Sequence, residues 1–133
     1  MSYSVKEVAE MFRISPHTVR YYTDQELIPG VARDHNGRRM FDDAALGWLR
    51  TIIAFRSAGM SIDMIRHYLD LYNQGEETIP ARYQLLVKQQ QLTRQKLDDL
   101  TQQLEVINEK VQSYDGWIHL AGSTQNKNSG SDC

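Results

Sequence analysis

A run of apolar residues late in the chain places the tightest constraint on its fold. Leu97, Leu100, Leu104, Ile107, Val111 and Tyr114 are separated by 3, 4, 3, 4 and 3 positions. That alternation keeps one stripe of an α-helix apolar and is the seam of a coiled coil. Followed backwards, the register meets Thr93, Gln90, Leu86, Tyr83 and Ile79, so it weakens at two polar positions and then recovers. With Pro80 in its first turn, one helix over 79–114 is predicted. It would be on the order of 50 Å long at the usual rise per residue. A chain of 133 residues has too little other surface to cover such a stripe. A second copy is the expected partner, with Leu97, Leu100, Leu104, Ile107 and Val111 at the interface.

Residues 1–76 read differently. Val5, Val8, Ala9 and Phe12 follow Ser4 at the i, i+3, i+4, i+7 spacing of an amphipathic helix. Ser4 and Glu7 have the spacing of a capping box. Arg13-Ile14 reads as a turn, after which Ser15 caps a second helix with Pro16 at its first position. Two short helices across a tight turn make a helix-turn-helix. On the second helix Val19 and Tyr22 face inward, while His17, Thr18, Arg20 and Tyr21 face outward. Asn36-Gly37 suits the positive φ of a hairpin turn, and the hairpin arms carry Arg33, Arg38 and Arg39. Asp42 or Asp43 opens a third helix that ends at Gly59, and Ser61 caps a fourth.

Net charge is −2 and the sequence pI is about 6.1, which excludes a uniformly basic nucleic-acid binder. A local patch survives: between Arg13 and Arg39, five arginines stand against Asp24, Glu26 and Asp34, a net of 5 − 3 = +2. Outward-facing Arg20 suits base edges or phosphate, and Tyr21 suits phosphate and sugar. Arg20 is expected to read bases, and Arg38 and Arg39 to hold phosphates. His17 is an outward candidate for the same surface, alongside an ordinary surface role.

Cys133 is the only cysteine, so no intrachain disulfide or thiolate cage is expected. Asp63 and His67 are four apart on one helix, which is too few ligands for a metal, and a solvated ion pair is the favoured reading. No nucleophile–base pair or phosphate-cradling glycine loop stands out, so neither an enzyme nor a cofactor is expected. "MSYSVKEVAE" lacks the apolar core of a signal peptide and no apolar run spans a bilayer, so a cytoplasmic location is expected.

"SVKEVAEMFRISPHTVRYY", "LIPGVARDHNGRRMF" and "LRTIIAFRSAGMSIDMIRHYL" together resemble a MerR-type transcriptional regulator over most of residues 1–72. The resemblance implies a mostly α fold: a winged helix-turn-helix DNA-binding domain, then a long dimerisation helix forming an antiparallel coiled coil. It implies DNA-facing roles for Thr18, Arg20 and Tyr21 on the recognition helix and for Arg33, Arg38 and Arg39 on the wing. It also implies a homodimer that distorts double-stranded promoter DNA for RNA polymerase in response to an effector. The sequence departs from the family pattern at Glu26, where glycine is usual, and at Phe41, where a wing tyrosine is common. The cysteines of the family's metal sensors are absent from "EETIPARYQLL" and "SYDGWIHLAG". The segment from "GMSIDMI" onward is similar to the branch that senses aldehydes and nitrosative stress, but Ala54 stands where parts of that branch carry a cysteine.

Tyr68, Tyr72, Tyr83 and Trp117 are candidates for a small-molecule effector pocket, although plain packing at the helix ends is the favoured reading. The expected division is a DNA-binding domain over 1–76, a coiled-coil helix over 77–114, and a short apolar segment with a disordered tail over 115–133. Two other functions compete: an architectural DNA-bending factor without effector, and a coiled-coil interaction protein that binds no DNA. The long seam argues against the first and the arginines against the second.

Overall fold

A computed structural model describes residues 1–124. In chain order the elements are β1 (Tyr3–Ser4), α1 (Val5–Phe12), α2 (Pro16–Asp24), β2 (Ala32–Arg33) and β3 (Arg39–Phe41). They are followed by α3 (Asp43–Ser57), α4 (Ile62–Gln74), a 3-10 turn (Glu76–Thr78) and α5 (Ile79–Thr124). The chain forms two compact units, the first Met1–Gln89 and the second beginning at Gln90. The first unit therefore extends past residue 76 to include the opening turns of α5. Leu85 and Leu86 of those turns pack against the core, which the seam pattern did not reveal.

Side chains at the helix starts explain where α1 to α4 begin. Ser4 Oγ accepts from Glu7 N at 3.1 Å, and Glu7 Oε1 accepts from Ser4 N at 2.8 Å, a complete capping box. Ser15 Oγ accepts from Thr18 N at 3.0 Å, Asp42 Oδ1 from Ala45 N at 2.8 Å, and Ser61 Oγ from Met64 N at 3.1 Å. Between α1 and α2, Arg13 takes the left-handed conformation at φ 57° and Ile14 N returns to Ala9 O at 3.1 Å. Between α3 and α4, Gly59 at φ 100° lets Met60 N reach Phe55 O at 2.9 Å.

The sheet is antiparallel in the order β1-β3-β2, with Tyr3 opposite Phe41, Ser4 opposite Met40 and Arg33 opposite Arg39. The hairpin β2–β3 is the predicted wing. Its turn is closed by Asp34 Oδ1, which accepts from Asn36 N and from Arg38 N, both at 2.9 Å. Strand β1 was not anticipated, because two residues carry no periodicity. Val8, Val19, Leu27, Phe41, Leu49, Ile52, Met60 and Ile65 are fully buried at the centre of the unit. Each contributes roughly 1.5–3 kcal/mol of apolar transfer. Tyr22 is half-buried and packs on this core, as expected of its inward face.

The corner into α5 is built around Thr78. Its Oγ1 lies 2.6 Å from Leu71 O and 2.7 Å from Gly75 O, and accepts from Arg82 Nε at 3.0 Å. The predicted end of α5 at Tyr114 needs correction: the helix runs through Asp115-Gly116 to Thr124. A helical glycine costs only about 1 kcal/mol against alanine. Contacts across that point favour continuation: Trp117 packs edge-on against Tyr114 with centroids 4.7 Å apart, and His119 Nδ1 lies 2.9 Å from Asp115 O. The seam also continues, since Ile118 follows Tyr114 by four positions. The remainder of the predicted tail, 125–133 with Cys133, lies outside the described residues. No helix among the described residues is long and apolar enough to cross a membrane.

Candidate nucleic-acid interface

Helix α2 presents Arg20 and Tyr21 on its exposed side, beside exposed His17. Tyr21 retains 43% exposure, with its ring 5.9 Å from that of Tyr22, so the two tyrosines divide between surface and core. Thr18 is half-buried and its hydroxyl lies 2.8 Å from Ser15 Oγ, which ties it to the helix cap.

The wing arginines differ from one another. Arg33 Nη1 donates to Gly37 O at 2.7 Å and braces the hairpin turn. Arg38 is exposed. Arg39 is half-buried and its Nη2 bonds Asp24 Oδ1 at the end of α2. Ser4, Val5, Lys6, Arg20, Arg33, Gly37, Arg38 and Arg39 line one open cavity of about 610 Å³. Five cationic side chains from α1, α2 and the wing thus surround a space with no acid in its lining. Such a surface suits a polyanionic backbone, whose counterions it would release on contact.

Lys6 was absent from the sequence-based set. On the sequence it is an ordinary polar position of the first helix. The pairing of β1 with β3 carries the start of α1 to the wing, and with it Lys6. No signal within the helix pattern points to this.

A smaller cavity of about 230 Å³ lies between the end of α2 and the wing, lined by Thr23, Glu26, Ile28, Val31, Arg33 and Arg39. Glu26 has φ 58°, a left-handed conformation that favours glycine. The glycine expected at this position would fit that backbone without strain, whereas Glu26 adopts it with a side chain.

The effector candidates have separate surroundings. Tyr68 packs edge-on against Phe55, centroids 5.4 Å apart. Tyr72 packs edge-on against Trp48 at 4.9 Å, with the Arg82 guanidinium 5.1 Å above its ring. Tyr83 is 62% exposed. Trp117 belongs to the second unit and packs on Tyr114. Among the described residues, no three histidine, cysteine or acidic side chains gather where a metal would sit. Leu97, Leu100, Leu104, Ile107 and Val111 are 55–62% exposed, an apolar stripe open to a partner.

Comparison with known proteins agrees with this geometry. Residues 3–71 match the MerR HTH family regulatory protein model, and residues 46–110 match the model described as MerR, DNA binding. An HTH-type transcriptional regulator of Haemophilus influenzae is 31% identical over 114 residues, 86% of this chain and 84% of its own length. The regulator AdhR of Bacillus subtilis is 34% identical over 88 residues, 66% of this chain and 63% of its own. Among solved structures, HiNmlR, a MerR family regulator lacking the sensor domain and bound to promoter DNA, superposes with a TM-score of 0.82. It is 30% identical, and the match covers 91% of this chain and 92% of that one. A MerR family regulator from Bacillus thuringiensis has a TM-score of 0.78 at 32% identity, over 86% of this chain and all of that one. With matching models over both the helix-turn-helix and the helices that follow, this chain belongs to the MerR family of helix-turn-helix transcriptional regulators.

Proposed function

We propose that the chain binds promoter DNA as a homodimer and controls transcription from it, with α2 in the major groove and the wing along the backbone. The observation that carries this reading is the single cavity into which Lys6, Arg20, Arg33, Arg38 and Arg39 converge beside the exposed face of α2. Arg20 supplies base readout, with His17, Thr18 and Tyr21 around it. Lys6 and Arg38 supply phosphate contacts. Arg33 and Arg39 belong to the same surface through the wing. The promoter-bound state of HiNmlR supports the choice of ligand.

The homodimer rests on the exposed stripe from Leu97 to Val111, which continues to Ile118 along α5. Two stripes of this length cover each other in an antiparallel pair and give two recognition helices for a two-fold promoter site. Distortion of the bound promoter, presentation to RNA polymerase and response to a small-molecule effector complete the proposed role.

Selection of duplexes from a random pool by the unmutated protein, followed by titration at several salt concentrations, tests DNA binding. Enrichment of a two-fold symmetric site with salt-dependent affinity supports the reading. Recovery of no preferred sequence overturns it. Transcription from the recovered site, with and without candidate aldehydes and drugs, tests control and the effector.

A further inference from the structure

Asp24 stands where elementary electrostatics disfavours it. It is the last residue of α2, where the negative end of the helix dipole repels a carboxylate. It also lies at the edge of a surface otherwise suited to phosphate. Its carboxylate bonds the guanidinium of Arg39, which approaches from β3.

Arg39 has a matching need. Its cross-strand partner is Arg33, and like charges directly opposite each other destabilise a ladder. The structure resolves this by turning both side chains to acceptors: Arg33 to Gly37 O and Arg39 to Asp24. Arg38, in the turn just before β3, is exposed, while Arg39 keeps only 20% side-chain exposure. Two neighbouring arginines thus have different surroundings.

We infer that Asp24 is a positioning residue for DNA binding: through Arg39 it locks the wing to the end of the recognition helix. The inference rests on the promoter-binding reading above. Arg39 is then a structural member of the interface and does not neutralise a phosphate. The spacing between Arg20 on α2 and Arg38 on the wing is held by the pair, so both reach the duplex together.

The test uses the full chain and the duplex it selects, with a scrambled duplex as control. The variants are Asp24→Ala, Arg39→Ala, the double variant and Asp24→Glu. Removing an acid beside DNA should tighten binding if charge alone matters. Positioning requires the reverse: Asp24→Ala weakens binding to the selected duplex by on the order of fivefold, and Arg39→Ala does the same. The double variant is no weaker than either single one, Asp24→Glu largely restores affinity, and the slope of affinity against salt is unchanged throughout. Alanine is a good helix former at an exposed helix end, so Asp24→Ala should fold, and circular dichroism checks it. Tighter or unchanged binding by Asp24→Ala overturns the inference. So does a drop of about one unit of salt slope in Arg39→Ala, the mark of a lost phosphate contact. Those results would leave promoter binding intact, whereas failure of the unmutated chain to select any duplex sinks that reading itself.

Discussion

Gln89 of α5 donates from Nε2 to the main-chain oxygen of Ala58 at the end of α3, 3.3 Å away. Gln89 is only 7% exposed, so a buried amide joins the opening turns of the long helix to the α3–α4 turn. Gln89→Ala should lower stability by about 1–2 kcal/mol, from the lost bond and the space left behind. Urea unfolding monitored by circular dichroism checks this. An unchanged midpoint would mean that the Gln89 bond adds nothing to the other contacts that seat the helix.

Glu26 provides a prediction of opposite sign. At φ 58° an L-residue with a side chain is strained, and glycine is not. Glu26→Gly should raise stability by about 0.5–1 kcal/mol after allowing for the greater freedom of glycine in the unfolded chain. Glu26→Ile, β-branched at the same φ, should lower it. If thermal melts rank the two in the other order, the side chain of Glu26 contributes more than its backbone costs.

Arg20 and Lys6 should respond differently to truncation. Arg20 projects from α2, where a bidentate pair with guanine gives roughly 1–3 kcal/mol of discrimination. Arg20→Ala should therefore reduce affinity for the selected duplex far more than for a scrambled one. Lys6→Ala should weaken both alike and reduce the salt slope by about one unit. Equal losses on the two duplexes for Arg20→Ala would make Arg20 a phosphate contact.

The exposed stripe on α5 predicts the assembly. Leu100→Asp combined with Leu104→Asp places two carboxylates on the proposed dimer seam, where they would be desolvated without partners. Light scattering should show a dimer for the unmutated chain at micromolar concentration and a monomer for the double variant. A monomeric unmutated chain, or a dimeric variant, removes the seam as the interface.

Much of this protein was legible in order along the chain. Ser4 with Glu7, Ser15 with Pro16, Ser61, Gly59 and Asn36-Gly37 marked helix starts, a helix end and the wing turn where the structure has them. Each signal works within three or four residues, because a cap or a tight turn satisfies its own neighbours' backbone groups. The heptad spacing of α5 is similarly local, being a property of one helix face. What the tertiary structure decided depends on surfaces meeting across the chain. Pairing of β1 with β3 brought Lys6 to the wing, although neither strand is long enough to show a period. The partner of Arg39 is Asp24, fifteen positions away, and Arg33 donates to the main-chain oxygen of Gly37. The extension of α5 beyond Gly116, by contrast, accompanies a local contact, Trp117 on Tyr114 three positions back, which the turn signal of Asp115-Gly116 masked in the sequence. Residue type announces that an arginine carries charge, but only the folded geometry determines which acceptor it meets, because that choice depends on distances between elements remote in sequence.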